Sequence, residues 1–483
     1  MRRAFALLLS LPLVGCSTAK PFFVEQPLAR TSETAEDLRP PAAEFAHPKP
    51  PRSVEKQLPS GMSVEVVERP DTGLVSLVFV NPRARMSSSY LPVFLGDALL
   101  AGVQAGDGRV LYPVTLDGRT PSIHTGLGGT TISLSCRAEQ FERALDLLSA
   151  VVRRPLFEPR LLEPIRARSA LDLLGIRNET WAWQLASEHR GEHFNVDEER
   201  IAESVRTLDT QGLQQAHRRL FGPHDTSLVV VGDVPAERVL ASFQQRFGDW
   251  AEAPALTAAT PRPQSEKAPP ASQQPEPTAP SGSRAGRKVL VVPEASYPYL
   301  SIIQDAPAFE TPDALAFALL VDTLSAHNSP LMRKLRYQSA HVYFIDSRQV
   351  SVPERGQYLF LDTRVAERTL PSDLSELLRA LSDLRLTPVQ PSELAGAKAR
   401  YGASLAQYLA SGRGLASYLA RVRLHQAVPI RDLGQRISAI TPDDLRRVAV
   451  RYLDPDHATI VVQGQVSSSL RRELGAFGEV SNP

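Results

Sequence analysis

Residues 204–234 read SVRTLDTQGLQQAHRRLFGPHDTSLVVVGDV, and residues 436–466 read RISAITPDDLRRVAVRYLDPDHATIVVQGQV. Leu213 and Leu445, Pro223 and Pro455, and Gly232 and Gly464 each stand 232 positions apart, with no gap inside either phrase. Each phrase runs from helical periodicity through a proline turn into a β-branched strand that stops at glycine. A chain that repeats its closing helix and strand at a constant offset builds one architecture twice. Its 483 residues are also too many for a single compact core.

The openings of the two blocks match in kind. In the first, a turn at Leu58-Pro59-Ser60-Gly61 leads into a strand through Val64 and Val66, a second strand from Leu74 to Val80, and a helical run from Tyr90 to Ala101. In the second, Val289–Val292 and Tyr299–Ile303 read as strands before a helix carrying Leu315, Leu319 and Leu320. Longer helices are expected near Gln140–Val152 and Pro391–Leu409. Strands first, helices next and a closing strand predict an α+β fold. Two homologous domains are expected, each a largely antiparallel sheet with helices packed on one face. They should occupy 53–250 and 287–480, joined by a Pro-rich linker at 251–286 with eight prolines.

Arg2 and Arg3 precede an apolar run, Ala4–Val14, too short to span a bilayer, which needs about 20 such residues. It ends in Leu13-Val14-Gly15-Cys16, which resembles a bacterial lipobox. Residues 1–15 are therefore expected to be a signal peptide, Cys16 the lipidation site, and 16–52 a lipidated, Pro-rich tether. Ser17 favours outer-membrane sorting by the same resemblance. The expected location is the bacterial cell envelope, anchored by lipid and facing the periplasm. Cys136 has no partner for a disulfide once Cys16 is acylated, and reads as a small buried hydrophobe. With 54 basic and 53 acidic residues, no nucleic-acid partner is indicated.

The pentapeptide His189-Arg190-Gly191-Glu192-His193 has the H-x-x-E-H order, which on a helix places both imidazoles on one face for a zinc ion and a glutamate nearby as base. Gly191 weakens a helix there. The candidate third ligands, Glu266 and Glu276, fall in the Pro-rich linker. The simpler reading is a solvated helix end. A stand-alone zinc peptidase built on this motif is the weakest functional alternative.

The phrases LPSGMSVEVVE (58–68), SLVVVGDV (227–234), SPLMRKLRYQSAHVY (329–343) and SELAGAKA (392–399), in this order, resemble the pitrilysin/insulinase family of zinc peptidases, in its processing-peptidase-like bacterial branch. The resemblance covers about residues 53–480. It implies that the zinc pentad would fall on the first helix, YLPVFLGDALLAGV, at Val93, Phe94, Leu95, Gly96 and Asp97. Both histidines and the glutamate are replaced there, so Val93, Gly96 and Asp97 mark a degenerate motif and no metal is expected in this chain. The region of the family's third ligand offers only Asp172. The resemblance also assigns Arg336 and Tyr343, seven positions apart, as donors to a substrate carbonyl. It thus implies a zinc-less subunit that lends Arg336 and Tyr343 to the site of a homologous two-domain partner. That partner would carry the intact motif and the zinc, and the pair would cleave unfolded peptides in the periplasm. The alternative is a structural or peptide-binding pseudo-peptidase lipoprotein. The stretch GLGGTTISLSC (126–136) reads as an edge strand to which a peptide could add.

Overall fold

The computed structural model describes residues 52–482 apart from 87–90, 113, 117, 167–207 (His189 excepted), 252–285, 293–298 and 353–355. The expected signal peptide at 1–15, Cys16, the expected tether up to residue 51, Asp172 and nearly all of the expected linker at 251–286 lie outside the described residues.

The first half runs β1 (Val54–Gln57), β2 (Ser63–Glu68), β3 (Leu74–Asn81), α1 (Leu91–Ala98), β4 (Val103–Gln104), β5 (Val110–Leu111), β6 (Ser122–Gly126), β7 (Gly129–Arg137), α2 (Phe141–Arg153), α3 (Thr210–Leu220), β8 (Ser227–Gly232) and α4 (Ala236–Phe247). The second runs β9 (Lys288–Val292), β10 (Tyr299–Ala306), α5 (Asp313–Ser325), β11 (Asp346–Val352), β12 (Gly356–Arg364), α6 (Leu370–Leu386), α7 (Pro391–Ala410), α8 (Gly412–Arg423), α9 (Leu433–Ala439), α10 (Pro442–Tyr452), β13 (Thr459–Gln463), α11 (Ser468–Leu474) and β14 (Glu479–Ser481). The halves build two six-stranded sheets, β1-β2-β8-β3-β7-β6 and β14-β9-β13-β10-β12-β11. The order β2-β8-β3-β7-β6 corresponds to β9-β13-β10-β12-β11 position by position, while the remaining edge strands differ, β1 pairing antiparallel and β14 parallel. The fold is α+β, as expected, and most strand pairs are antiparallel. Parallel pairs join β2 to β8, β9 to β13 and β9 to β14. The repeated phrase becomes α3–β8 and α10–β13. Even the helix caps recur at the same offset, Asp209 accepting from the Gly212 N–H and Thr441 from the Asp444 N–H.

One strand shows why neither sheet stands alone. All six residues of β8, SLVVVG, are buried, so both its faces are covered. Leu228 and Val230 join the core beneath the first half's own helices. Val229 and Val231, with Val67, Val78 and Val80, pack instead on Leu415, Ala416 and Leu419 of α8, a helix of the second half. Arg423, at the end of α8, is bonded to Glu65 at 2.8 Å and to Glu55 at 3.1 Å. The Arg69 guanidinium donates to the carbonyls of Leu409 and Ala410, at the end of α7. In the other direction, Met86 and Leu127 pack on Leu290, Ile303, Tyr358 and Val461 of the second sheet. Each half packs helices on one face of its own sheet, as expected, while α8 of the second half covers the opposite face of the first sheet, and Met86 and Leu127 of the first half lie on the second.

The strand expected at an edge is not one. Residues 129–136 of GLGGTTISLSC, together with Arg137, form β7, which pairs with β3 on one side and β6 on the other. Its alternation comes from a core on one face and small polar side chains on the other. The edge belongs to β6, five residues long and too polar to announce itself. Cys136 is buried in β7, as expected.

His217 on α3 ties that helix to the end of α2. Its Nε2–H donates to the Val152 carbonyl at 2.9 Å, and its ring stacks on Phe221. Burial pushes its pKa down to about 4. The folded chain therefore binds this proton only near pH 4, whereas the unfolded chain binds it from about 6.5. Stability from His217 is present above pH 6.5 and lost as pH falls to 4, by up to roughly 3 kcal/mol. In urea unfolding at pH 7 and pH 4, His217→Gln is expected to lose less stability across that interval than the parent chain. Equal losses would show that His217 is not the group responsible.

Candidate functional site

Helix α1 carries the positions to which the zinc pentad maps. Phe94, Leu95 and Gly96 are buried, with Val93 and Asp97 partly so. The buried face lies against β6, where a Cβ added at Gly96 would stand 2.8 Å from Thr125 Oγ1 and 3.3 Å from an Ile123 methyl. Thr125 is not free to yield. Its hydroxyl is bonded to that of Thr130 at 2.8 Å, and Thr130 donates to the Ala84 carbonyl. A glutamate at 96 would have to displace a buried hydrogen-bonded contact. The place of the general base is a packing contact, and zinc does not fit it. Among the described residues, no group of three or more His, Cys, Asp or Glu side chains could hold a metal ion.

Of the HRGEH pentapeptide only His189 lies within the described residues. It is not at a solvated helix end, as the simpler sequence reading expected. It is 5% exposed, with Nδ1 2.9 Å from Thr459 Oγ1, Nε2 3.4 Å from Asp305 and its ring edge-on to Tyr358. His189 therefore packs on the second sheet. It precedes Arg421 of α8, the helix that covers the first sheet through Leu415, Ala416 and Leu419, by the same 232 positions. One ring nitrogen is occupied by Thr459, and this histidine serves as a packed tie between the halves.

Arg336 and Tyr343 do come together. After Ser329 caps a short turn, residues Arg333–Gln338 widen into a π-helical turn, a geometry that often marks functional sites. Ala340 then takes a left-handed conformation, φ +55°. The chain doubles back so that the backbone N–H groups of His341 and Val342 both donate to the Leu335 carbonyl, at 2.8 and 3.3 Å. Leu331, Met332, Leu335, Val342 and Ile345 anchor this loop in the second core. The polar members stay outside. The Arg336 guanidinium carbon sits 4.6 Å from the Tyr343 ring centroid and 5.3 Å from that of Tyr337. Tyr343 is 76% exposed and Tyr337 59%. Among the described residues the guanidinium has no hydrogen-bond or ion-pair acceptor. Stacking fixes the orientation of its N–H fork and leaves the donors unspent.

The sequence reading missed three members of this site. Tyr337 was visible beside Arg336 in LRYQSAHVY, but an exposed helical tyrosine carries no signal alone. His341 lay two residues from Tyr343. Asp373, 2.7 Å from the His341 Nδ1, comes from α6 and had no local mark at all.

A family profile described as "Peptidase M16 inactive domain" matches residues 207–401, which include this loop. Among solved structures, a protease from Helicobacter pylori aligns at 17% identity and TM-score 0.67, covering 86% of this chain and 100% of that one. A peptidase M16 inactive domain from Pseudomonas fluorescens aligns at 16% identity and TM-score 0.68, covering 86% and 99%. The periplasmic protease PqqL from Escherichia coli aligns at 14% identity and TM-score 0.62, over 89% of this chain and 50% of that one. At these identities the likeness shows the fold. No match is found among curated protein sequences.

Proposed function

Because this chain belongs to the pitrilysin/insulinase (M16) peptidases and carries that family's inactive domain across residues 207–401, we propose that it is the zinc-less subunit of a two-chain periplasmic peptidase. In this reading a homologous partner with an intact H-x-x-E-H holds the zinc, and Arg336 and Tyr343 reach the substrate bound there. The observation that carries the reading is the guanidinium of Arg336, held over the Tyr343 ring with its donors unspent. Amide hydrolysis builds negative charge on the carbonyl oxygen, and oriented N–H and phenol O–H donors stabilise that charge more than they stabilise the neutral carbonyl. The matching half of the E. coli periplasmic protease supports a larger assembly built from two such units. The lipobox-like Leu13-Val14-Gly15-Cys16 supports attachment to the outer membrane, facing the periplasm.

The test uses the full chain alone and mixed with a homologue that carries H-x-x-E-H. Zinc-dependent cleavage of an unfolded peptide should be absent from the chain alone and should rise on mixing. Cleavage by the chain alone, or no gain on mixing despite a stable complex, would sink the proposal. The same exposed Tyr337–Arg336–Tyr343 face also suits a pseudo-peptidase that holds peptides without cutting them. Peptide binding by the chain without any gain in turnover on mixing would select that second reading.

A further inference from the structure

The π-helical turn and the loop that joins Arg336 to Tyr343 are tied to α6 by an ion pair, Lys334 Nζ to Glu376 at 2.6 Å, and by a hydrogen bond, His341 Nδ1–H to Asp373 at 2.7 Å. The first is partly exposed, as surface pairs are. The second is different in kind. Asp373 is 1% exposed, and its Oδ2 has no hydrogen-bond partner. Burying a carboxyl group with one oxygen unsatisfied costs free energy and calls for a compensating role. Its other oxygen accepts from His341, whose backbone N–H closes the doubled-back loop on the Leu335 carbonyl. His341 is therefore held from both ends, by its main chain to the π-helical turn and by its ring to α6. The left-handed Ala340 beside it carries a conformational cost that an untethered loop could relieve.

We propose that Asp373 and His341 are positioning residues for Arg336 and Tyr343. The buried carboxyl group locks the imidazole, and the imidazole locks the loop in the register that stacks the guanidinium on the Tyr343 ring. This inference rests on the reading of Arg336 and Tyr343 as donors to substrate. It adds that their geometry is set before substrate arrives, as a preorganised donor site requires. His341 presents Nδ1–H to Asp373, a role that the asparagine amide N–H can reproduce and that leucine, although apolar and similar in bulk, cannot.

The experiment uses the full chain labelled with ¹⁵N-arginine. The Arg336 Nε–H resonance, assigned by its loss in Arg336→Lys, should be displaced upfield by the Tyr343 ring, and Tyr343→Leu should abolish the displacement. His341→Asn is expected to keep the displacement, whereas His341→Leu and Asp373→Ala are expected to lose it. An unchanged resonance in His341→Leu overturns the inference, and so does equal loss in His341→Asn and His341→Leu. Should Asp373→Ala fail to fold, His341→Leu, at a partly exposed position, carries the test. The outcome is separable from the functional reading. That reading falls if Arg336→Ala leaves turnover of the mixed chains unchanged, whatever the spectrum shows.

Discussion

Arg336→Ala is expected to lower kcat of the proposed two-chain peptidase about 100- to 1,000-fold, the loss typical of removing one oxyanion donor, on the order of 3 kcal/mol in the barrier. The donors act on charge that develops during reaction, so kcat and kcat/KM should fall together while KM changes little. Arg336→Lys should recover only part of the loss. An ammonium keeps the charge but neither the planar fork nor the stacking on Tyr343. The side chain makes no hydrogen bond or ion pair among the described residues, so the unfolding free energy of the isolated chain in urea should stay within about 0.5 kcal/mol of the parent. Steady-state kinetics with the assembled pair, checked by size-exclusion chromatography, decides the matter. Undiminished turnover in an intact complex would remove Arg336 from the chemistry and leave the peptide-holding reading in its place.

Gly232→Ala should be the most destabilising single substitution considered for this chain. A methyl group there would stand 2.3 Å from the Leu74 carbonyl oxygen and 2.5 Å from the Val75 Cα. Both atoms belong to the backbone of β3, in the middle of the first sheet, and neither can swing aside. The residue also sits at φ +156°. Overpacking and backbone strain together imply a loss of roughly 4 kcal/mol. Gly73→Ala separates the two causes. Gly73 also has positive φ, +63°, but nothing lies within 4 Å of the added carbon, so only the strain of about 1–2 kcal/mol should appear. Equilibrium unfolding in urea measures both. Similar losses at the two positions would mean that the close approach of β8 to β3 is not what requires glycine. Gly464 stands 232 residues later, just after β13, and also has positive φ, +140°.

Much of this fold is legible before any coordinates, because its signals are local. The repeated phrase, the β-branched run of β8 and β13, and the helical periodicity of α3 and α10 report on residues a few positions apart. The capped starts of those two helices do the same. The edge strand was misread because strand pairing is not local. The alternation in 129–137 says that one face is buried and β6 is its hairpin neighbour, yet β3, which pairs on its other side, comes from residues 74–81. His189 was misread for a related reason. A polar residue near a helix end is normally solvated, and only the docking of one half on the other's sheet buries it beside Thr459 and Tyr358.

Composition at single positions is enough to say that α1 cannot coordinate zinc, since valine and glycine lack donor atoms whatever surrounds them. The doubling of the architecture is equally settled by residue order, because a constant offset survives any folding detail. The stack of Arg336 on Tyr343 and the seating of His341 on Asp373 belong to the tertiary structure alone. So does the covering of each sheet's outer face by residues of the other half. Side-chain chemistry travels with the residue. Proximity is created by chain reversal and packing, whose partners the residue itself does not name.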